Sequence, residues 1–300
     1  MAATGTADHL AWEARQRRPA ALAAVLAAVF TFAGAVYGGL VFADVPRGGL
    51  LESLERGAQP GPVQQLQSLR IPVYEFYDDH AAGILISSLL RAVGLLGMGW
   101  ALTYLAVATR ARRPELPRVA QYLPIIGAVL SALATVLSTV ATIFSVQDFL
   151  DGPRTVTSAD EITSSGLLVT AQLINLPGLL ALALGIVLIS LNAMRSGLLS
   201  RFMGVLGMIT GALLVFPIGA PLPIVQCFWL LMLGVLFLGR WPGGTPPAWS
   251  GSEAIPWVSG AEVRAQRRRA AEADEEPAPE RAAAGPARQG TARKKRKRRT

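Results

Sequence analysis

The sequence predicts an all-α fold, a six-span transmembrane helical bundle with a disordered C-terminal tail, on three observations. Six long apolar runs occupy most of the first 240 residues. The chain is 52% apolar and only 16% charged, with a mean hydropathy of +0.41, beyond what a soluble domain of this length normally shows. The cations between the runs also alternate in density. Arg15, Arg17 and Arg18 precede the first run, Arg110, Arg112, Arg113 and Arg118 fill the second connector, and Arg195 and Arg201 the fourth. The third connector has only Arg154, the fifth has none, and the long first connector spreads Arg47, Arg56 and Arg70 among six acids. Cation-rich loops stay on the cytoplasmic side, so both termini are expected there.

Taken in order, residues 1–19 read as a short cytoplasmic segment and residues 20–42 as the first span. The arginines ahead of it and Val41-Phe42-Ala43 behind it outline a secretory signal, but 23 residues exceed a signal core of roughly 7 to 15, which favours an uncleaved anchor. Further spans are expected at 83–108, 119–146, 167–191, 198–217 and 222–239. A helix rising about 1.5 Å per residue needs about 20 residues to cross a hydrocarbon core about 30 Å thick. The apolar stretch 202–239 is nearly twice that length. It folds back at Pro217-Ile218-Gly219-Ala220-Pro221-Leu222-Pro223, where three prolines cannot continue helical hydrogen bonding. Each arm is short, and a hairpin re-entering from the cytoplasm would keep the same sidedness with four full spans.

In the first connector, Leu50, Leu51 and Leu54, then Val63, Leu66 and Leu69, recur at helical intervals on either side of Gln59-Pro60-Gly61-Pro62. Two short helices on the outer surface are expected. The third connector, 147–166, is polar and acid-rich with a Gly152-Pro153 turn. Beyond Arg240, Trp241, Trp249 and Trp257 recur every eight residues among Pro and Gly, a spacing that suits contacts in the headgroup zone. Residues 241–300 form a cytoplasmic tail carrying +6 of the net charge of +8. After Trp257 no apolar period remains to bury a core, so this part is expected to be disordered. It ends in Arg293-Lys294-Lys295-Arg296-Lys297-Arg298-Arg299. Beside an anionic leaflet each cation is worth about 1 kcal/mol, so the run is expected to contact lipid headgroups. No aromatic residues are interleaved for base stacking, which disfavours nucleic acid.

Arg91 interrupts the second span about 12 Å below its outer end. An arginine at depth costs about 2.5–3.5 kcal/mol on insertion scales and should be paired or hydrated, either as a structural residue snorkelling outward or as part of a site. Counted from the same face, Gln172 and Asn175 on the fourth span and Gln226 on the sixth fall near its level, and Ser138, Thr139 and Thr142 on the third approach it from below. Pro177 would free the Leu173 carbonyl nearby. This candidate polar layer either lines an outward-opening cavity for an anion or polar headgroup, or glues the helices together by hydrogen bonds. Small residues at four-residue spacing, Gly34 and Gly38, Gly127, Ser131, Thr135 and Thr139, and Gly207 and Gly211, make faces for close packing within the chain or in a homo-oligomer.

Enzyme and cofactor motifs are not found: there is no HExxH, P-loop or GxSxG, and the histidines are His9 and His80 alone. The single cysteine, Cys227, excludes an intrachain disulfide. Asp78-Asp79-His80, with Glu75 before it, holds metal-competent groups, but consecutive residues do not converge on one ion, and acidic N-capping of the second span is expected instead. No catalytic residue, cofactor or metal is therefore expected.

Ser190-Leu191-Asn192-Ala193-Met194-Arg195, Gly197 to Gly204, Phe237-Leu238-Gly239-Arg240-Trp241-Pro242-Gly243-Gly244 and the Tyr77-to-His80 segment resemble a family of bacterial multi-span membrane proteins with basic tails. The resemblance implies a bacterial inner-membrane location and transfers no activity. The leading functional expectation is a non-enzymatic scaffold or envelope-associated protein whose tail contacts anionic lipid. The alternative is a small-solute or anion permease with its site around Arg91.

Overall fold

The computed structural model describes residues 2–46, 62–216, 223–242, 245–251, 253–255, 264–265 and 268–269. The chain divides into two compact units, Met1–Trp257 and Val258–Thr300. In the second, the described residues 264–265 and 268–269 are helical, where disorder was expected. An Ala, Arg and Glu-rich composition lacks a core but has high helix propensity. The cationic run 293–299 lies outside the described residues.

The first unit is all-α: α1 (Ala2–Val41), α2 (Ile71–Asp79), α3 (Ala81–Arg112), α4 (Arg118–Asp151), α5 (Val156–Ser164), α6 (Gly166–Ser196), α7 (Arg201–Val215) and α8 (Ile224–Phe237). No strand is present among the described residues. The segments built on α1, α3, α4 and α6 are long and apolar enough to cross a membrane, which gives the chain the build of a membrane protein. At 15 and 14 residues, α7 and α8 reach only about 22 and 21 Å. The proline-rich break between them, 217–222, lies outside the described residues.

The long helices exceed the expected spans. Residues 2–19 are not a separate segment but the first turns of α1, which runs through Pro19. Helical spacing places Trp12, Glu13 and Ala20 on the covered side, and this burial outweighs the one hydrogen bond that proline removes. At the other boundary, Gly197 ends α6 in the left-handed conformation, φ 81°, and Ser200 starts α7 by accepting the Met203 N–H at 3.2 Å. Leu198 and Leu199, expected in the fifth span, lie in that turn and are fully buried.

The helices alternate in direction, which gives the bundle two unlike ends. The connector end carries α2 and α5, and the arginine end carries Arg17, Arg112 and Arg195. Glycines allow close approach between neighbours. A Cβ on Gly127 would meet the Gly178 carbonyl and Leu182 backbone, one on Gly99 the Ala128 side chain, and one on Gly211 the Ala183 carbonyl. These small-residue faces pack within one chain.

At the connector end, the second expected surface helix is a 3-10 turn, Val63–Gln65, and the helix falls later, at Ile71–Asp79. Pro72 supports this start, because proline suits the first turn of a helix. The third connector folds as well. Thr155 caps α5, and Tyr74, Val146, Phe149, Ala159 and Ile162 form a small second core. Arg154 ties the connectors together, donating to the Leu150 carbonyl at 2.8 Å and pairing with Glu75 at 3.3 Å. The expected acidic cap on the second span is absent. α2 runs into α3 across His80, whose ring stacks on Phe76, and Asp78 instead accepts from Gln147 at 3.0 Å.

At the arginine end, residues 245–251 and 253–255 lie back across the bundle. Trp249, expected to contact headgroups, packs against protein instead. It is buried, stacks on Tyr104, lies beneath the Arg17 and Arg112 guanidinium groups, and donates from Nε1 to the Leu198 carbonyl at 3.0 Å. The Ile255 N–H donates to the Ser196 carbonyl at 3.2 Å. An indole whose N–H and ring both find protein partners has no need of the lipid interface.

Candidate functional site

Arg91 lies ten residues into α3, about 15 Å from the connector end. Its stripe of the helix is the bundle's inner one. Seven, eleven, fourteen and eighteen residues further on, the stripe presents Met98, Leu102, Leu105 and Thr109, all 0% exposed. Arg91 itself is exposed. A residue left open on an otherwise sealed inner stripe faces a space inside the bundle rather than lipid. Asn175 repeats the pattern on α6: it is exposed, and Leu182, Ile186, Ile189 and Ala193 follow it at the same offsets, fully buried. On these stripes both helices are thus open toward the connector end and closed toward the arginine end.

The space is a cavity of about 440 Å³, within the usual size range of small-molecule sites. Ile84, Ser87, Ser88 and Arg91 line it from α3, and Leu168, Ala171, Gln172 and Asn175 from α6. From α4 come Ala134, Thr135, Ser138, Thr139, Thr142 and Ile143, while Phe42 and Tyr77 border it from the connector side. Six members of the expected layer, Arg91, Gln172, Asn175, Ser138, Thr139 and Thr142, therefore share one cavity.

Gln226, the seventh, does not line it. Its Nε2 lies 3.5 Å from the Sδ of Met98, two turns below Arg91 on the sealed part of the stripe. Depth counted from an apolar boundary placed it too high, because α8 is short and begins at Ile224, well inside the bundle. The lining residues that the sequence reading missed include Ser87 and Ser88. Their signal was available, since they stand four and three residues before Arg91 and so share its face.

Arg91 reaches the cavity along a groove in α1. A Cβ on Gly34 would come within 2.9 Å of Arg91 Cγ, and one on Gly38 within 3.0 Å of its Nη2. α1 runs toward the connector end, so the side chain climbs one turn in that direction with its guanidinium against Gly38. The glycine pair, expected as a helix-packing face, also makes room for an arginine. Snorkelling and cavity lining are one arrangement here.

Arg91, Gln172 and Asn175 make no hydrogen bond or ion pair to any described residue. The hydroxyls are different. Ser138, Thr139 and Thr142 donate to carbonyls of their own helix at 3.0, 3.0 and 2.8 Å. α6 continues through Pro177, whose missing N–H leaves the Leu173 carbonyl without its helical donor. At the cavity's rim, burial pushes the Tyr77 phenol above its ordinary value, with Tyr74 adding to the shift, so this group is a neutral hydroxyl. The described lining residues hold one guanidinium, two amides, several hydroxyls and no carboxylate, imidazole or thiol. Family models, curated proteins and solved structures offer no match to this chain, so the cavity's chemistry is the basis on which its role is argued.

Proposed function

We propose that the chain is an integral membrane protein that binds a small, anion-bearing polar solute in this cavity and carries it, without covalent chemistry. The observation behind this is Arg91. A guanidinium at this depth costs about 2.5–3.5 kcal/mol on insertion scales, and a structural arginine recovers that by pairing. Arg91 has five donors, no described partner, and two unpartnered amides lining the same space. The donor set suits holding a ligand, and among the described lining residues no carboxylate or imidazole stands by as the base that would activate a hydroxyl for a hydrolytic or transfer reaction.

The alternation of arginines supports an extracytoplasmic connector end with cytoplasmic termini, so the cavity opens outward and the packed half below it is the closed side of a carrier. α7 and α8 then serve either as two short crossings or as a hairpin re-entering from the cytoplasm, with the same sidedness. The family resemblance supports a bacterial inner membrane. Contact of the C-terminal cations with anionic lipid is compatible with this reading and independent of it.

The test is binding of carboxylate and phosphate probes to the purified full chain, read as thermal stabilisation, followed by uptake into proteoliposomes. Arg91→Ala is expected to abolish both while keeping the melting profile, and Arg91→Lys to retain part. Undiminished binding in Arg91→Ala would refute the proposal.

A further inference from the structure

Resting on that reading, we infer that the solute is a zwitterion: an anionic group that Arg91 holds, joined within a few bonds to an ammonium whose N–H groups the α4 wall accepts. The inference comes from where the cavity's hydroxyl protons go. A hydroxyl has one donor and two acceptor lone pairs. On α4, Thr135 donates to the Ser131 carbonyl at 2.7 Å, and Ser138 and Thr139 both donate to the Thr135 carbonyl at 3.0 Å. Thr142 donates to the Ser138 carbonyl at 2.8 Å. With every one of these protons turned back into the helix, what remains toward the cavity is a row of acceptors.

Arg91, on the neighbouring helix, is the reverse, with donors and no acceptor. Ser87 and Ser88 beside it turn their protons back to the Ile84 and Leu85 carbonyls at 3.0 and 2.8 Å. The cavity therefore sets one donor pole, the Arg91 guanidinium, against hydroxyl acceptors on α3 and α4, and Gln172 and Asn175, whose amides both donate and accept, can serve either. A bare cation would be repelled by Arg91, and the described lining residues include no carboxylate to hold it. A bare anion would satisfy Arg91 and leave the α4 acceptors facing a group with nothing to donate. A molecule carrying both charges matches both poles. At about 440 Å³ the space admits a free amino acid or the phosphoethanolamine headgroup of a lipid, which present the same chemistry.

N-Methylation separates charge from hydrogen bonding, because a trimethylammonium keeps the charge and has no N–H. The purified full chain in detergent is titrated with glycine, glycine betaine, phosphoethanolamine, phosphocholine and acetate. At least one ammonium probe is expected to bind about tenfold or more tightly than its trimethyl analogue and than acetate, as a site built around hydrogen bonds rejects a ligand lacking them. Ser138→Ala with Thr139→Val removes two acceptors and leaves Arg91 in place. It is expected to erase that preference while acetate binding stays within about twofold. Acetate binding as tightly as the ammonium probes, or a preference that survives the double substitution, overturns the zwitterion and leaves the anion-binding function standing. No binding of any probe by the wild-type chain overturns both. Proteoliposomes of phosphatidylcholine with and without phosphatidylethanolamine then identify the source: competition by the ethanolamine lipid marks a headgroup, and indifference to it marks a free solute.

Discussion

Arg91 and Arg112 lie on the same helix, 21 residues and about 31 Å apart, and their surroundings are opposite. The Arg112 side chain is 0% exposed and each nitrogen of its guanidinium is hydrogen-bonded. It holds Glu13 through two bonds of 2.7 and 2.9 Å, and it donates to the Ala248 carbonyl at 2.8 Å and the Ala108 carbonyl at 2.9 Å. Tyr104 donates to the Glu13 carbonyl at 3.2 Å, and Trp249 covers the pair. Arg91 is exposed to an internal space and has no described partner. One helix thus shows what a structural arginine looks like in this bundle, and the other arginine departs from it. A buried ion pair closes the arginine end, whereas the cavity toward the connector end leaves the Arg91 charge without a described partner.

The largest expected effect tests that contrast directly. Arg112→Ala takes the guanidinium from the buried Glu13 carboxylate and leaves it only the His9 imidazole, 3.2 Å away, among the described residues, and it is expected to destabilise the chain by about 3–5 kcal/mol. Glu13→Leu combined with Arg112→Met should recover most of the loss, because two apolar side chains leave no orphaned charge. Arg91→Ala, measured in the same thermal melts, should stay within about 1 kcal/mol of the wild type, as its guanidinium has no partner to lose among the described residues. Equal losses at the two positions would mean that Arg91 is as structural as Arg112, and the contrast would collapse.

Trp249 comes next. Trp249→Ala removes the stack on Tyr104, the face beneath Arg17 and Arg112, and the bond to the Leu198 carbonyl. A loss of about 3 kcal/mol is expected, at the low end for a large aromatic because one edge stays accessible. Trp249→Phe keeps the ring and drops the N–H, so about 1 kcal/mol should separate it from the wild type. If Trp249→Ala melts like the wild type, residues 245–251 and 253–255 do not hold this end closed.

The two ends were not equally legible in the sequence. The cavity was, because its residues are polar where the pattern demands apolar ones. Arg91, Gln172, Asn175, Ser138, Thr139 and Thr142 stand out within spans, and counting depth along helices of known rise brings them to one level. The count failed for Gln226 because an apolar boundary does not mark where a short helix begins. The closure at the arginine end was hidden for a different reason. Arg112 reads as one more loop cation, Glu13 as a polar residue in a flanking segment, and Trp249 as an interfacial indole. Their meeting depends on α1 continuing through Pro19 and on a Pro- and Gly-rich segment turning back across the bundle, and neither is a periodic property of the chain.

The smallest expected effect concerns the groove rather than the arginines. Gly34 and Gly38 carry a spacing that reads equally well as a helix-packing face, and the two uses make different predictions at the two positions. At Gly34 an added methyl would meet the Arg91 Cγ at 2.9 Å and the Ser87 carbonyl at 3.0 Å, so backbone as well as side chain would have to give way. At Gly38 the nearest atom is the Arg91 Nη2 at 3.0 Å, the far end of a flexible side chain, and the next is the Ser87 Oγ at 3.4 Å. Gly38→Ala should therefore leave the melting temperature nearly unchanged, since the helical propensity gained by replacing glycine, up to about 1 kcal/mol, offsets a small shift of the guanidinium. It should still weaken anion binding by about two- to fivefold, because a charge-assisted hydrogen bond is sensitive to displacement of a few tenths of an ångström. Gly34→Ala should do the opposite, lowering stability by about 1–2 kcal/mol through overpacking before any effect on the ligand is separable. Titration and thermal melts on the two variants decide the matter. If Gly38→Ala lowers stability as much as Gly34→Ala and leaves anion affinity alone, the glycine pair serves only helix packing, and Arg91 does not depend on it for its position in the cavity.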